Sequence, residues 1–409
     1  MGWLAALSPG VRQYLVVTGN YWAFTLTDGA LRMLVVLHFN ALGYSPLEIA
    51  LLFLFYEFFG VVTNLAGGWL GARIGLNKTM NIGLALQVVA LSMLLVPAAL
   101  LTVPWVMAAQ ALSGVAKDLN KMSAKGAIKL LVPDEAQSAL YRWVALLTGS
   151  KNALKGVGFF MGGALLVALG FTGAVAVMAL ALALVWVASL LLLKRDLGRA
   201  KAKPKFKDIF SKSRAINVLS AARMCLFGAR DVWFVVALPV FLAQSLGWSP
   251  WQTGGFMAAW VIGYGGVQAL APSISGRHPD GRAALLWASL LFLSPVGIAL
   301  GLARGVDPAG LVIIGLLIFG GLFAVNSSLH SYLIVSFAGR DGVSLDVGFY
   351  YMANAMGRLL GTLLSGWVFQ VAGQGSSGLA ACLWLSAGLI LATVLISTAL
   401  PRQRRDRLT

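Results

Sequence analysis

Apolar residues run along this chain in blocks too long for the surface helices or alternating strands of a water-soluble domain. Twelve blocks can be drawn, at roughly 16–41, 46–71, 79–100, 104–130, 139–168, 173–194, 215–243, 250–275, 283–303, 309–337, 343–372 and 378–399. Each is near or above the ~20 residues a helix needs to cross a bilayer. Lipid offers backbone N–H and C=O groups no partner, so such blocks predict helices rather than open strands. Blocks longer than the bilayer requires predict tilt or cytoplasmic extension. One long polar stretch interrupts them, Lys194–Arg214 (KRDLGRAKAKPKFKDIFSKSR), near the middle of the chain.

That break predicts a six-helix half at 1–194, a basic linker at 195–214, a second half at 215–400 and a short tail at 401–409. The halves repeat one another. Leu42-Gly43-Tyr44-Ser45-Pro46 returns as Leu246-Gly247-Trp248-Ser249-Pro250, and Asp28 returns as Asp231. Lys155, Gly158 and Gly163 return as Arg358, Gly361 and Gly366, and Arg73 and Lys78 as Arg277 and Arg282. Every offset is 203 or 204 residues, half of the 409-residue chain. Parallel six-helix repeats of this kind describe the major facilitator architecture. The segment Gly68-Trp69-Leu70-Gly71-Ala72-Arg73-Ile74-Gly75-Leu76-Asn77-Lys78 resembles the gating loop of that superfamily, with Ala72 where an acid is usual. Arg73 and Arg277 are candidate gating residues on this ground.

Composition agrees. The chain is 59% hydrophobic and 11% charged, against about one quarter charged in soluble domains. The formal charge of +17 is distributed as a topology signal. With both termini in the cytoplasm, 22 of the 31 Lys and Arg fall on cytoplasmic segments and helix ends, and one, Arg304, on an outer loop. This is the positive-inside pattern expected of a multi-pass protein of a bacterial cytoplasmic membrane. The basic linker reads as a topogenic loop that can also touch anionic lipid, and nucleic-acid binding is not expected. The N-terminus has no cleavable signal pattern. Cys225 and Cys382 lie inside apolar blocks, so neither a disulfide framework nor a cysteine metal site is expected. No nucleophile motif, metal cluster or extramembrane domain supports an enzyme, no cofactor is expected, and a monomer is.

The eight basic residues left over lie inside the spans: Arg32, Lys117, Lys121, Lys151, Lys155, Arg223, Arg230 and Arg358. The acids there are Asp28, Glu57, Asp118 and Asp231, with Asp346 near a cytoplasmic end. A charge at a helix centre costs ~2.5–3.5 kcal/mol on insertion scales, so these groups must face protein or a wet cavity. Asp28/Arg32, Lys117/Lys121 and Lys151/Lys155 are i, i+4 pairs that share a helix face. The first reads as an ion pair, as does Arg230 with Asp231; both are candidates for gating or coupling. Lys117, Lys121, Lys151, Lys155 and Arg358 outnumber the acids and read as contacts for an anionic substrate, with Arg32, Arg230, Asn152 and Asn326 as further candidates. Arg223 is open between the two roles. Glu57 is a candidate for proton coupling or for a buried, protonated structural acid, Asp118 for gating or coupling, and His330 for titration or for packing.

Several segments resemble one narrow group, the organoarsenical efflux permeases of the ArsJ type. They are VTGNYWAFTLTDGALRMLVVLHF (17–39), SPLEIALLFLFYEFFGVVTN (45–64), ALSGVAKDLNKMSAKGAIKLLVP (111–133), YRWVALLTGSKNALKGVGFF (141–160) and SKSRAINVLSAARMCLFGARDVWFVVALPV (211–240). The resemblance implies export of 1-arseno-3-phosphoglycerate, which arises when glyceraldehyde-3-phosphate dehydrogenase uses arsenate in place of phosphate, and hence a functional link to that enzyme. It transfers no binding residues. The alternative is an organophosphate/phosphate exchanger working in uptake, which would use the same basic interior. Two cationic clusters, one from each half, would suit an anion with a charged group at each end.

Overall fold

The computed structural model describes residues 9–131, 137–193, 213–275, 279–337 and 343–401. Among these there are α-helices and one short 3-10 turn, and no strand. The α-helices are α1 (Pro9–Ala41), α2 (Pro46–Leu52), α3 (Leu54–Ile74), α4 (Leu76–Met93), α5 (Val103–Leu131) and α6 (Gln137–Leu192). After the linker come α7 (Arg214–Phe234), α8 (Ala237–Gln244), α9 (Pro250–Ser275), α10 (Gly281–Ala303), α11 (Pro308–Phe337), α12 (Val343–Val371) and α13 (Gly375–Ser397).

These thirteen helices make the expected twelve spans once three local events are read. The second span breaks at Phe53, between α2 and α3. The fifth and sixth run together as α6 and part at Gly170, whose φ of 67° and ψ of −179° only glycine adopts easily. The seventh breaks at Val235–Val236, between α7 and α8. Pro239 explains that last break, because its ring would clash with the carbonyl four residues earlier, that of Val235. The freed backbone does not go unsatisfied: Ser365 Oγ on α12 accepts from the N–H groups of Val236 and Ala237 at 3.2 and 3.0 Å. By length and composition alone, six described stretches are apolar enough to cross a membrane, among them Arg214–Gln244 and Pro308–Ile334.

The chain divides into two compact units. One holds Met1–Leu42, Leu51–Phe206 and Ser249–Ile262; the other holds Gly43–Ala50, Lys207–Trp248 and Gly263–Thr409. In the first, α1 packs along the early part of α6, and α5 packs on α3 and α4. In the second, α7 packs along α12 and α13, and α10 packs on α11 and α13. The α1–α6 and α7–α12 pairings are repeat equivalents. Large apolar side chains left exposed, such as Leu180, Leu184 and Leu191 on α6 and Leu293 on α10, supply the lipid-facing surface, while polar and charged residues turn inward.

The repeated Ser-Pro motif becomes two matching helix starts. Ser45 Oγ and Glu48 cap α2 reciprocally, and Ser249 and Gln252 do the same for α9. Within the first unit the start of α9 lies on Gly163, where a Cβ would collide with the Pro250 carbonyl. Within the second, the start of α2 lies on Gly366 in the same way, against the Pro46 carbonyl. These two glycines are the repeat pair seen in the sequence; their lack of a side chain is what admits the neighbouring backbone.

Candidate functional site

The charged spans are α1, α3, α5, α6, α7 and α12, and each unit gathers its own cluster. In the first unit the centre is Asp118 on α5, fully buried. Its Oδ1 accepts from Lys121 Nζ at 2.5 Å, and its Oδ2 faces Lys117 Nζ at 4.0 Å. One carboxylate therefore sits between the two lysines that the i, i+4 spacing had paired as like charges. Lys121 also donates to Asn64 Oδ1, and Lys117 lies 3.9 Å from the centre of the Tyr56 ring. Gly60 makes the room: a Cβ there would stand 3.3 Å from both Asp118 Oδ2 and Lys117 Nζ.

Beside this group, Arg32 on α1 meets Glu57 on α3 at 2.6 Å, with side chains 8% and 0% exposed. Its guanidinium lies over the rings of Phe53 and Tyr56. The i, i+4 spacing predicted Asp28 as its partner. Asp28 instead accepts from the Tyr56 hydroxyl at 2.7 Å. The correction has a simple cause: α3 brings a second carboxylate to Arg32, which no spacing within α1 can reveal. Lys155 on α6 approaches the Phe159 ring at 5.5 Å, and Lys151, Asn152 and Lys155 are each partly buried.

The second unit repeats the scheme with arginine. Asp231 on α7 is 1% exposed. Its Oδ1 accepts from Arg230 Nε at 2.6 Å and lies 2.5 Å from Arg230 Nη2, and its Oδ2 accepts from Arg358 Nε on α12 at 3.3 Å. The predicted Arg230–Asp231 pair is present, joined by the repeat counterpart of Lys155. Seven residues before Arg230, Arg223 donates through Nε to Asn354 Oδ1 and through Nη1 to the Ser327 carbonyl, both at 2.9 Å. Asn326 is placed elsewhere. It is fully buried, and its amide donates to the carbonyls of Trp287 on α10 and Leu322 on its own helix, which makes it an interhelical tie. The Arg73 and Asp346 side chains, Arg277, and residues 195–212 and 402–409 lie outside what the structure describes.

Sequence reasoning missed Tyr56, Gly60 and Asn64. They stand four residues apart along α3, a small and polar stripe on one face of an otherwise apolar helix. That stripe was the available signal. It faces Lys117, Asp118 and Lys121 of α5, a set that also lies within four residues.

The sequence profile described as the Major Facilitator Superfamily matches residues 15–362. No curated protein matches in sequence. Among solved structures, a POT family transporter in complex with a thioalcohol-conjugated peptide is 16% identical over 94% of this chain and 95% of that one, with a TM-score of 0.75. A POT family transporter in complex with 5-aminolevulinic acid is 15% identical over 95% of each chain, with a TM-score of 0.74. The nucleoside transporter NupG is 14% identical over 97% of this chain and all of that one, with a TM-score of 0.73. At such identities the likeness concerns the fold.

Proposed function

Taking as premise that the chain belongs to the major facilitator superfamily, and is thus a secondary transporter by family and fold, we propose that it exports a multiply charged organic anion. The substrate that best joins the residues to the resemblance is 1-arseno-3-phosphoglycerate, and the consequence is arsenate resistance. The reading places the protein in a bacterial cytoplasmic membrane, with both termini and the basic linker inside.

One observation carries it. Inside the spans of the first unit five basic residues stand against three acids, and in the second three stand against Asp231, with Asp346 a further acid near a cytoplasmic end. Each unit thus holds more cations than carboxylates, and in each a single buried carboxylate holds two cations, Asp118 with its lysines and Asp231 with its arginines. A cationic or neutral substrate would leave that excess standing, whereas an anion with two charged ends relieves it. Arginine suits the bidentate geometry of a phosphate or arsenate group, and lysine serves as a point charge. A negative-inside potential drives anions outward by ~2.3 kcal/mol per charge per 100 mV, so export requires no coupled proton.

Everted membrane vesicles test the proposal. Glyceraldehyde-3-phosphate dehydrogenase, its substrates and arsenate are supplied outside, with the membrane potential and the pH gradient set independently. Arsenic should accumulate only when the enzyme is active, and in proportion to the potential. No accumulation above protein-free membranes would refute the assignment. Phosphate-driven organophosphate exchange in the same vesicles, without arsenic accumulation, would establish the uptake exchanger instead.

A further inference from the structure

Tyr56 carries no charge, yet charged residues of the first unit meet on it. It is 2% exposed. Its hydroxyl donates to Asp28 Oδ1 on α1 at 2.7 Å. The centre of its ring lies 4.9 Å from the Arg32 guanidinium carbon on α1 and 3.9 Å from the Lys117 ammonium on α5. The next residue along α3, Glu57, holds Arg32. The backbone beneath the ring is fixed as well. Gly114 on α5 stands three residues before Lys117, and a Cβ there would collide with the Tyr56 carbonyl. One turn on along α3, Gly60 keeps open the space beside Asp118 and Lys117. α3 and α5 therefore run close together at the level of Tyr56, which sets the distance from the ring to Lys117.

A ring and a carboxylate hold an ammonium in different ways. Lys121 is bound by Asp118 Oδ1 at 2.5 Å and by Asn64, whereas Lys117 stays 4.0 Å from Asp118 Oδ2. The Tyr56 ring attracts the Lys117 ammonium through its quadrupole and adds no negative charge. Lys117 is thus kept in place with its charge still available to an anion. Its side chain is 17% exposed, and a charge inside a span faces protein or a wet cavity, so an anion can reach it. The ring in turn needs an anchor, because an aromatic side chain without one can change rotamer. The bond from the hydroxyl to Asp28 supplies that anchor.

We infer that Tyr56 is a positioning residue for anion binding in the first unit: Asp28 anchors its hydroxyl, and its ring sets the place from which Lys117 meets one charged end of the substrate. Asp28, which the i, i+4 spacing had assigned to Arg32, then acts on the substrate through Tyr56. The inference rests on the anion-transport reading and deepens it by naming the neutral residue that aims the cation.

Two measurements on the full chain test it. The first is unfolding in mixed micelles, which needs no substrate. Asp28→Ala with Tyr56→Phe, and Tyr56→Leu with Lys117→Gln, form two double-mutant cycles. In each the double variant should lose less than the sum of the single losses, because both substitutions break the same contact; simple addition in either cycle overturns the inference. The second is flux of 3-phosphoglycerate, an anion with a charged group at each end, into everted vesicles. Tyr56→Phe should raise KM about threefold and Tyr56→Leu about tenfold, the range that loss of a cation–π contact allows, with the maximal rate per folded protein preserved. Asp28→Asn, whose amide oxygen still accepts a hydrogen bond, should fall between wild type and Asp28→Ala. A wild-type KM in both Tyr56 variants, with only the amount of folded protein reduced, makes Tyr56 a packing residue and leaves the proposed function standing. Should Tyr56→Leu fail to fold, Tyr56→Phe decides: its rise in KM must vanish in the Asp28→Ala background, and an equal rise there overturns the inference. Wild type without flux of 3-phosphoglycerate or of arsenic defeats the proposed function. Coupled cycles then leave the Asp28–Tyr56–Lys117 arrangement standing, and additive ones defeat both.

Discussion

Replacing Asp231 by Asn keeps the side chain's shape and removes the charge that two guanidinium groups share. At an effective dielectric of about 20, contacts of the lengths found to Arg230 and Arg358 are each worth roughly 5 kcal/mol before desolvation is counted. Net of desolvation, breaking a buried pair by removing one partner costs about 3–5 kcal/mol. The asparagine oxygen still accepts one N–H, which returns about 1 kcal/mol. The expected loss is therefore about 2–4 kcal/mol, a large share of a typical stability of about 5–15 kcal/mol. Reversible unfolding in mixed micelles measures it. A second substitution sharpens the reasoning: Arg358 is 16% exposed on its side chain, so Arg358→Gln in the Asp231→Asn background removes a cation that has lost its counter-ion. The double variant should recover part of the loss, which appears as a coupling term in the double-mutant cycle. A single-variant loss under about 1 kcal/mol, or a double variant whose losses simply add, would refute the view that Asp231 is a shared counter-ion.

Lys117→Gln should abolish anion flux while leaving the protein folded, since Lys121 keeps Asp118 paired at 2.5 Å; flux at the wild-type rate would remove Lys117 from the substrate site. Asp28→Asn should weaken transport but keep its response to membrane potential at every pH, because the Tyr56 hydroxyl can still donate to the amide oxygen; flux that stops responding only to an imposed pH gradient would make Asp28 a proton carrier instead. Ser365→Ala should cost about 1–3 kcal/mol in the same unfolding assay, by stripping the acceptor from the Val236 and Ala237 N–H groups at the α7–α8 break; no measurable change would mean that those groups find another partner.

Much of this protein is written along one dimension. Span length, the half-length offset of 203 or 204 residues and the distribution of Lys and Arg follow from physics that acts on each segment separately. A span must match the bilayer, and a basic loop stays on the side where it is made. The repeated Ser-Pro motif likewise carried its own capping partners, Glu48 and Gln252, three residues on. Even the inward turn of the charges could be argued from cost alone. Pairing could not. Arg32 finds Glu57 rather than Asp28 because α3 packs beside α1, and Asp231 gains Arg358 because α12 lies along α7. Lys117 and Lys121 share Asp118 in a space left open by Gly60, a residue 57 positions before Lys117. Asn326 and Arg223 looked alike as interior polar residues, yet one ties α11 to α10 and the other donates to Asn354 on α12. Composition fixes how many charges enter the membrane, but a counter-ion is chosen by distance in three dimensions, and that distance is set only when the helices pack.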